Sequence, residues 1–208
     1  RHQIIVSIAR IPMRYFVVRK YHLKYKKFKD IKKRPYLILF NHQTGFDQCF
    51  LSYLFPRHIY IIASEDIFSI GFIARVVNWC VKPIAFKKST NDARAVKECL
   101  TIVKEGGSIA LAPEGNRTFN GVTVNIKPSI AKFAKKLGLP IAFVRIEGGF
   151  GVKPRFADDI RKGSVHIGVS KVLEKEEYDK LTNEELAEVI NKELYVNETY
   201  REEEVKSK

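Results

Sequence analysis

The chain has 208 residues, of which 45% are hydrophobic and 29% charged, and its net charge is +14. This length and apolar content suit one α/β domain with a sizeable core. No window of about 18 uncharged apolar residues occurs, so we expect no membrane-spanning helix. The three cysteines show no metal-like spacing, which indicates buried, reduced thiols in a reducing compartment and no metal site.

The charge is spread unevenly. Residues 1–34 hold 12 lysines and arginines against one acid, residues 35–173 hold 19 against 10, and residues 174–208 hold 6 against 12. A basic surface of this size favours an anionic partner, which is a membrane, a nucleic acid or a phosphorylated substrate.

The first segment, residues 4–18, is apolar but interrupted by Arg10 and Arg14, and a dense set of cations follows it. This pattern is typical of an amphipathic helix lying in a membrane interface, with its cations at the lipid headgroups. The alternative is a surface helix packed on the domain, with Pro12 bending or starting it. Because the charge is so strongly of one sign, we favour a membrane-associated arm over residues 1–34.

Apolar runs of strand length alternate with helical patterns over residues 35–197. We predict strands at 36–40, 58–63, 82–86, 108–112, 140–146 and 164–170, the last being a late or edge strand. We predict helices at 47–55, 65–79, 91–106 (capped by Asn91), 127–137 (ended by Gly138) and after a Thr182–Glu185 capping box. This order predicts a single α/β domain, with a mixed, mostly parallel central sheet flanked by helices. Residues 198–208 form a charged tail that we expect to fray.

The stretch LILFNHQTGFD, residues 37–47, places His42 and Asp47 directly after the first predicted strand. Open α/β sheets build their sites at the carboxyl ends of strands. A histidine there can act as general base, and a carboxylate on its other ring nitrogen fixes the tautomer. The alternative is that Asp47 only caps the next helix while His42 hydrogen-bonds within the turn.

A second polar loop, LAPEGNRT at residues 111–118, follows another predicted strand. Gly115 permits a tight backbone turn, and Arg117 offers a planar fork for a phosphate. The alternative is a Glu114–Arg117 ion pair that stiffens the loop. One loop with a base and another with a phosphate fork suit transfer to a phosphate-bearing alcohol.

At this point the sequence resembles the glycerolipid acyltransferases, which include 1-acylglycerol-3-phosphate acyltransferase and related lysophospholipid acyltransferases. NHQTGFD (41–47) matches their N-H-x4-D motif, and PEGNRT (113–118) is similar to their P-E-G-T-R-S motif. IAFKKS (84–89) stands where the family has an apolar strand closing in arginine, and LPIAFV (139–144) where it has V-P-I-V-P-V. The resemblance covers roughly residues 36–146, and four motifs in order at suitable spacing make it specific.

The resemblance implies transfer of an acyl chain from acyl-CoA or acyl carrier protein to a lysophospholipid hydroxyl. His42 would be the base and Asp47 its orienting partner. The polar loops would bind the acceptor through Asn41, Glu114, Gly115 and Arg117, with Arg117 on its phosphate. No covalent acyl-enzyme is expected, in agreement with the lack of a G-x-S-x-G elbow, and family members need no metal or redox cofactor.

Three positions depart from the family motifs. Lys88 (or Lys87) replaces the arginine of the second motif, Asn116 replaces threonine, and Phe143 replaces the second proline of the last motif. Lysine can still neutralise a phosphate, but as a point charge rather than a fork. Lys127 is a further phosphate candidate, or else a solvated lysine at a helix start.

The resemblance leaves alternatives open. Within enzymes, the acceptor could be another lysophospholipid or a lipid without phosphate. A different class is a non-enzymatic basic module that binds membrane or nucleic acid, although no zinc-finger spacing or RNA-binding sheet signature occurs. A third is a catalytically inactive membrane-binding relative, which the presence of both His42 and Asp47 disfavours. We expect an acyltransferase on the cytoplasmic face of a membrane, peripheral or monotopic, that binds an anionic surface, lysophospholipid and acyl thioester, and no nucleic acid.

Overall fold

The computed structural model describes residues 4, 8, 15, 17–29, 34–55, 57–64, 83–86, 92–124 and 126–198. Within them the strands are β1 Lys24–Tyr25, β2 Leu37–Phe40, β3 Ile59–Ser64, β4 Ile84–Phe86, β5 Ser108–Leu111, β6 Ile141–Glu147 and β7 His166–Leu173. The helices with described bounds are α1 Asp47–Leu54, α2 Ala93–Lys104, α3 Ser129–Leu137, α4 Gly149–Val152, α5 Lys175–Tyr178 and α6 Asn183–Leu194.

The described strands form one seven-stranded sheet in the order β1-β7-β6-β2-β5-β3-β4. All neighbouring strands are parallel except β6 and β7. The prediction of a mixed, mostly parallel sheet flanked by helices is therefore confirmed. Because β2, β5 and β6 are parallel, their carboxyl ends lie together at one edge of the sheet, which we call the carboxyl edge.

Strand β2 lies at the centre of the sheet and is covered on both faces. Ile38 and Phe40 pack in one apolar cluster with α1, whereas Leu37 and Leu39 pack in the other with α2, α3 and α6. This alternation follows from the two-residue period of a strand. All four side chains are buried, and burial of each contributes about 2 kcal/mol. The continuous apolar run in the sequence thus reflects a strand with a core on either side.

The described ends of several helices match the sequence patterns. Gly138 ends α3 in the left-handed conformation, and the Thr182–Glu185 capping box begins α6. The cap of α2 differs from the prediction. Asp92, not Asn91, caps this helix, and its carboxylate accepts a hydrogen bond from the Ala95 N–H at 3.0 Å. Asparagine and aspartate cap helices about equally well, so sequence alone cannot choose between adjacent ones.

Part of the predicted N-terminal arm belongs to the folded domain. Val17, Tyr21 and Leu23 are buried against the α1 face of the sheet. The two residues of β1 then pair with the start of β7. The prediction of a late or edge strand holds in that β7 is the last described strand in chain order, and β1 pairs with only its first two residues, His166 and Ile167.

At the other end of the chain, Glu198 is the first residue of the predicted charged tail, but its side chain is buried in the domain. Residues 199–208, the predicted helix at 65–79 and the motif lysines 87 and 88 lie outside the described residues. Within the described segments, no helix has the length and apolar content needed to cross a membrane.

Candidate active site

His42 and Asp47 lie at the carboxyl edge, in the turn that joins β2 to α1. Nδ1 of His42 is 2.9 Å from Oδ2 of Asp47. The His42 side chain is 19% exposed, whereas that of Asp47 is wholly buried. With Nδ1 engaged by the carboxylate, Nε2 is the ring nitrogen left for a substrate, as the sequence predicts for an oriented base.

The carboxylate of Asp47 is held by the turn that precedes it. It accepts hydrogen bonds from the Gln43 N–H at 2.7 Å, from the Thr44 N–H at 2.9 and 3.0 Å, and from Thr44 Oγ1 at 2.8 Å. It makes no side-chain cap on α1, whose N-cap residue is Phe46. The helix-cap alternative is thus not what the structure shows. Together with His42, the carboxylate has donors enough to offset its burial.

Two side chains fix this turn to β6 and to the residues after it. The Asn41 amide donates to the Ile146 carbonyl at 2.8 Å and accepts from the Ile146 N–H at 2.7 Å. Gln43 Oε1 accepts from the Phe150 N–H at 3.1 Å. Asn41 is completely buried, which gives it a positioning role between two strands. The prediction that the Asn41 side chain contacts an acceptor is not supported by this geometry, because its amide is buried and already bound to Ile146.

Glu114, in the turn after β5, joins the two polar loops. Its carboxylate accepts from the His42 N–H at 2.8 Å and from the Val124 N–H at 3.2 Å. The Thr118 N–H in turn donates to the His42 carbonyl at 2.9 Å. Burial raises the pKa of Glu114 above its usual value, and the two backbone hydrogen bonds oppose that rise. The glutamate thus supports the backbone that carries the histidine.

Arg117 reaches toward the histidine turn instead of pairing with Glu114. A Cβ atom on Gly45 would lie 3.5 Å from Nη1 of Arg117, so the guanidinium lies beside Gly45 of that turn. Among the described residues no ion pair joins Glu114 to Arg117. Gly115 has a φ of 71°, a left-handed conformation that favours glycine and lets the loop double back.

The two candidate lysines differ in what the structure describes. Lys127 is exposed just before α3, a helix that leads into β6 and therefore begins at the carboxyl edge. Its role as a phosphate ligand stays a prediction. Lys88 lies outside the described residues, so its position relative to His42 stays a prediction as well.

Sequence reasoning missed three residues that shape the site. Gln43 and Thr44 lie inside the N-H-x4-D segment, and two polar residues so close to Asp47 could have been predicted to hydrogen-bond within the turn. Glu198 gave none, because it is one acid among many in the acidic tail. Its carboxylate accepts from the N–H groups of Gly148 and Gly151, which flank the Phe150 N–H that Gln43 binds.

Of the two cysteines that the structure describes, Cys49 on α1 is the one that follows the dyad directly in the chain. Burial, followed by the negative charge of Asp47, raises its pKa to about 11. The thiol is therefore protonated at neutral pH and is not a ready nucleophile. The arrangement as a whole provides a histidine base oriented by a buried carboxylate, next to a cation with five N–H donors. This combination suits proton removal from a hydroxyl on a phosphate-bearing molecule.

Comparison with known sequences agrees with this geometry. The sequence profile of the family described as Acyltransferase matches residues 19–147. The chain is 26% identical over 166 residues to a chloroplastic 1-acyl-sn-glycerol-3-phosphate acyltransferase of Brassica napus, covering 76% of this chain and 47% of that protein. It is also 26% identical over 169 residues to the 1-acyl-sn-glycerol-3-phosphate acyltransferase of Borreliella burgdorferi, covering 78% and 66%. The chain thus spans about half the length of the plant relative and about two thirds of the bacterial one.

Among solved structures, the fold is similar to the crystal structure of the 1-acyl-sn-glycerophosphate acyltransferase from Thermotoga maritima. The TM-score is 0.72 at 20% sequence identity, and the match covers 98% of this chain and 82% of that chain. At this identity the similarity concerns the fold of the domain.

Proposed function

The chain belongs to the acyltransferase family, and on this premise we propose that it moves a fatty acyl chain from a thioester to a lysophospholipid hydroxyl. The donor is acyl-CoA or acyl carrier protein. The acceptor is 1-acylglycerol-3-phosphate and the product phosphatidic acid, in keeping with the names of the relatives. The observation that supports this most strongly is the 2.9 Å contact between His42 and the buried Asp47.

In the proposed mechanism, His42 Nε2 removes the proton from the acceptor hydroxyl as its oxygen attacks the thioester carbonyl. The new C–O bond forms, the C–S bond breaks, and the proton passes from the imidazole to the departing thiolate. Asp47 stabilises the imidazolium formed in between and keeps the ring in one tautomer. The hydrogen bonds from Gln43 and Thr44 place the carboxylate before substrate arrives, so little reorganisation is needed.

The acceptor phosphate would bind to Arg117, with Lys88 and Lys127 as further cationic ligands. The Arg117 guanidinium lies beside the histidine turn and can donate two parallel hydrogen bonds to a phosphate. Glu114 and Gly115 would support acceptor binding by holding the loop backbone in place. The Glu114 carboxylate itself already accepts hydrogen bonds from the N–H groups of His42 and Val124.

The proposed reaction is direct transfer, without a covalent acyl-enzyme. The raised pKa of Cys49 disfavours a thiolate intermediate at neutral pH. The histidine base and the carboxylate supply the proton chemistry that the reaction needs, so we propose no metal or redox cofactor for it.

We further propose that the protein works on the cytoplasmic face of a membrane, as a peripheral or monotopic protein. Ile4 and Ile8 are helical and each 65% exposed, and the helical Tyr15 is exposed as well. The spacings of four and seven residues between these three side chains are those expected along one face of an α-helix. With a charge of +11 over residues 1–34, such a face suits an anionic bilayer surface. The free thiols of Cys49 and Cys99 agree with a reducing compartment.

The experiment that tests the function is mass spectrometry of lipids formed from lysophosphatidic acid and a panel of acyl thioesters. We expect phosphatidic acid carrying the acyl chain of the donor. Parallel reactions with lysophosphatidylcholine and monoacylglycerol identify the acceptor. Absence of an acylated product from every acceptor and both donor types would overturn the proposal. A product from lysophosphatidylcholine alone would show that this lipid, and not lysophosphatidic acid, is the acceptor.

A further inference from the structure

The described surface carries two exposed phenylalanines at the carboxyl edge. Phe119 and Phe156 are each 67% exposed, although they come from different loops. Phe119 follows β5, and Phe156 lies between β6 and β7. Single exposed apolar side chains are common on soluble proteins, so their meaning depends on what surrounds them.

Each phenylalanine is linked to the catalytic turn by a short series of contacts. Phe119 follows Thr118, whose N–H donates to the His42 carbonyl at 2.9 Å. The ring of Phe156 is 6.1 Å from that of Phe150, and the Phe150 N–H donates to Gln43 at 3.1 Å. One loop is therefore linked to His42 and the other to its neighbour Gln43, and each loop carries one exposed aromatic ring.

Both exposed rings carry an arginine on their face. Cζ of Arg155 lies 4.5 Å from the Phe119 ring centroid, and Cζ of Arg161 lies 5.8 Å from that of Phe156. The Arg155 contact links residues 36 positions apart, so it draws the two loops into one surface. We call these four residues the Phe–Arg patch.

Aromatic rings next to arginines suit the boundary between lipid headgroups and acyl chains. The rings can enter the apolar side of that boundary while the guanidinium groups bind phosphates. Asp158 and Asp159 lie in the same loop, but residues 153–163 hold four cations against these two acids. The charge of the loop therefore still complements an anionic surface.

We propose that the Phe–Arg patch is a second membrane contact, which seats the carboxyl edge on an anionic lipid bilayer. The inference rests on the proposed function, because an acceptor and a donor with acyl chains enter most directly where the site meets lipid. Residues 1–34 would hold the protein at the membrane, and the patch would orient the His42 turn toward it.

The test is co-sedimentation of the full chain with vesicles of equal parts phosphatidylglycerol and phosphatidylcholine. Phe119→Ser/Phe156→Ser should weaken vesicle binding about tenfold or more, because neither position can then bury an aromatic ring in the apolar side of the boundary. Arg155→Gln/Arg161→Gln should weaken it by a similar factor, and mainly at low salt. To separate the patch from the arm, the same substitutions are repeated in an Ile4→Ser/Ile8→Ser background.

Controls come from exposed side chains outside the patch. Tyr195→Ser, at the end of α6, matches the loss of an exposed ring, and Lys136→Gln/Lys180→Gln matches the loss of two cations. We expect each control to bind vesicles within about twofold of the unchanged chain, apart from the small general loss of charge. Circular dichroism of every variant checks that the exposed substitutions leave the fold intact.

Vesicle binding is measured without turnover, so its result is independent of the proposed reaction. Patch variants that sediment like the unchanged chain in both backgrounds would overturn the inference. The inference would also be overturned if the patch variants bound vesicles normally but lost self-association or binding to an acyl carrier protein. The patch would then be a contact for a protein partner. If the chain proves active, patch variants should keep their turnover on short-chain substrates dispersed in detergent and lose it on vesicles.

Discussion

The two polar loops at the carboxyl edge differ most in their central residues. In the turn at residues 41–47, the side chains of Asn41, Thr44 and Asp47 are buried and bound to neighbouring groups. In the loop at residues 114–118, Gly115 and Asn116 are exposed, and Arg117 pairs with no acid among the described residues. The first loop is fixed before substrate binds, whereas the second presents a cation to be neutralised. We infer that proton transfer belongs to the first loop and recognition of phosphate to the second.

The largest effect should come from removing the base. His42→Ala should lower kcat about 10²–10⁴-fold, the usual contribution of a general base. Thermal stability should fall modestly, because the buried Asp47 carboxylate loses its contact with Nδ1, while the hydrogen bonds from Gln43 and Thr44 still hold the turn. The measurement is initial rate under saturating substrates. His166→Ala, an exposed histidine on β7, serves as the control and should keep full activity. Near-wild-type turnover of His42→Ala would contradict the division between the loops.

The next largest effect concerns the rigidity of the first loop. Asn41→Ala leaves the buried N–H and C=O of Ile146 without partners, so the free energy of unfolding should fall by about 2–5 kcal/mol. Asn120→Ala, an exposed asparagine in the other loop region, should cost less than about 1 kcal/mol. Urea denaturation compares the two. An Asn41→Ala protein of unchanged stability but weaker acceptor binding would instead favour direct contact with the acceptor.

A smaller effect is expected from the cation of the second loop. Arg117→Ala should raise KM for lysophosphatidic acid about tenfold with little change in kcat, because hydrogen bonds to charged groups contribute roughly 1.5–3 kcal/mol. Lys88→Ala should raise KM less, since lysine offers a point charge rather than a fork. Steady-state kinetics with acceptor concentration varied separates KM from kcat. A fall in kcat alone would assign Arg117 to the chemical step.

The smallest effect tests the backbone of the second loop. An Ala at position 115 meets no atom within 4 Å, so Gly115→Ala should cost only the strain of the left-handed conformation, about 1 kcal/mol. That corresponds to a fall in Tm of roughly 2–4 °C for a protein of this size. Gly168→Ala also enters open space, and its φ is not positive, so its Tm should stay level or rise. Equal effects of the two substitutions would show that conformation is not the cause.

Much of the fold could be predicted because local patterns determine it. The run at 36–40 has strand length and no polar residue, and the helices carry caps or end at glycine. Sheet order could not be predicted, because nothing in the sequence states that β5 inserts between β2 and β3. Likewise, the sequence of residues 17–29 did not indicate that Val17 and Tyr21 pack in the core. A helix that lies on a membrane and a helix that packs on a protein core have the same amphipathic pattern.

In the site, as in the fold, local contacts could be predicted from the sequence and long-range contacts could not. His42 and Asp47 are five residues apart on one turn, so their contact is local. The approach of Arg117 to Gly45 and the bonds of Asn41 to Ile146 are long-range and depend on strand order. Glu198 shows most clearly what the sequence cannot predict. Its carboxylate is buried because it accepts hydrogen bonds from the N–H groups of Gly148 and Gly151, which lie about 50 residues away in the chain.

The measurement that tests the division of labour most directly is a specificity ratio. It is kcat/KM for lysophosphatidic acid divided by kcat/KM for monoacylglycerol, taken for the unchanged chain, Arg117→Ala and Asp47→Asn. Arg117→Ala should lower the ratio about tenfold, because only the phosphate-bearing acceptor loses a charge-assisted hydrogen bond. Asp47→Asn should slow both acceptors strongly and alike, leaving the ratio unchanged. An Arg117→Ala protein that loses activity equally on both acceptors, or an Asp47→Asn protein whose ratio falls tenfold, would contradict the account.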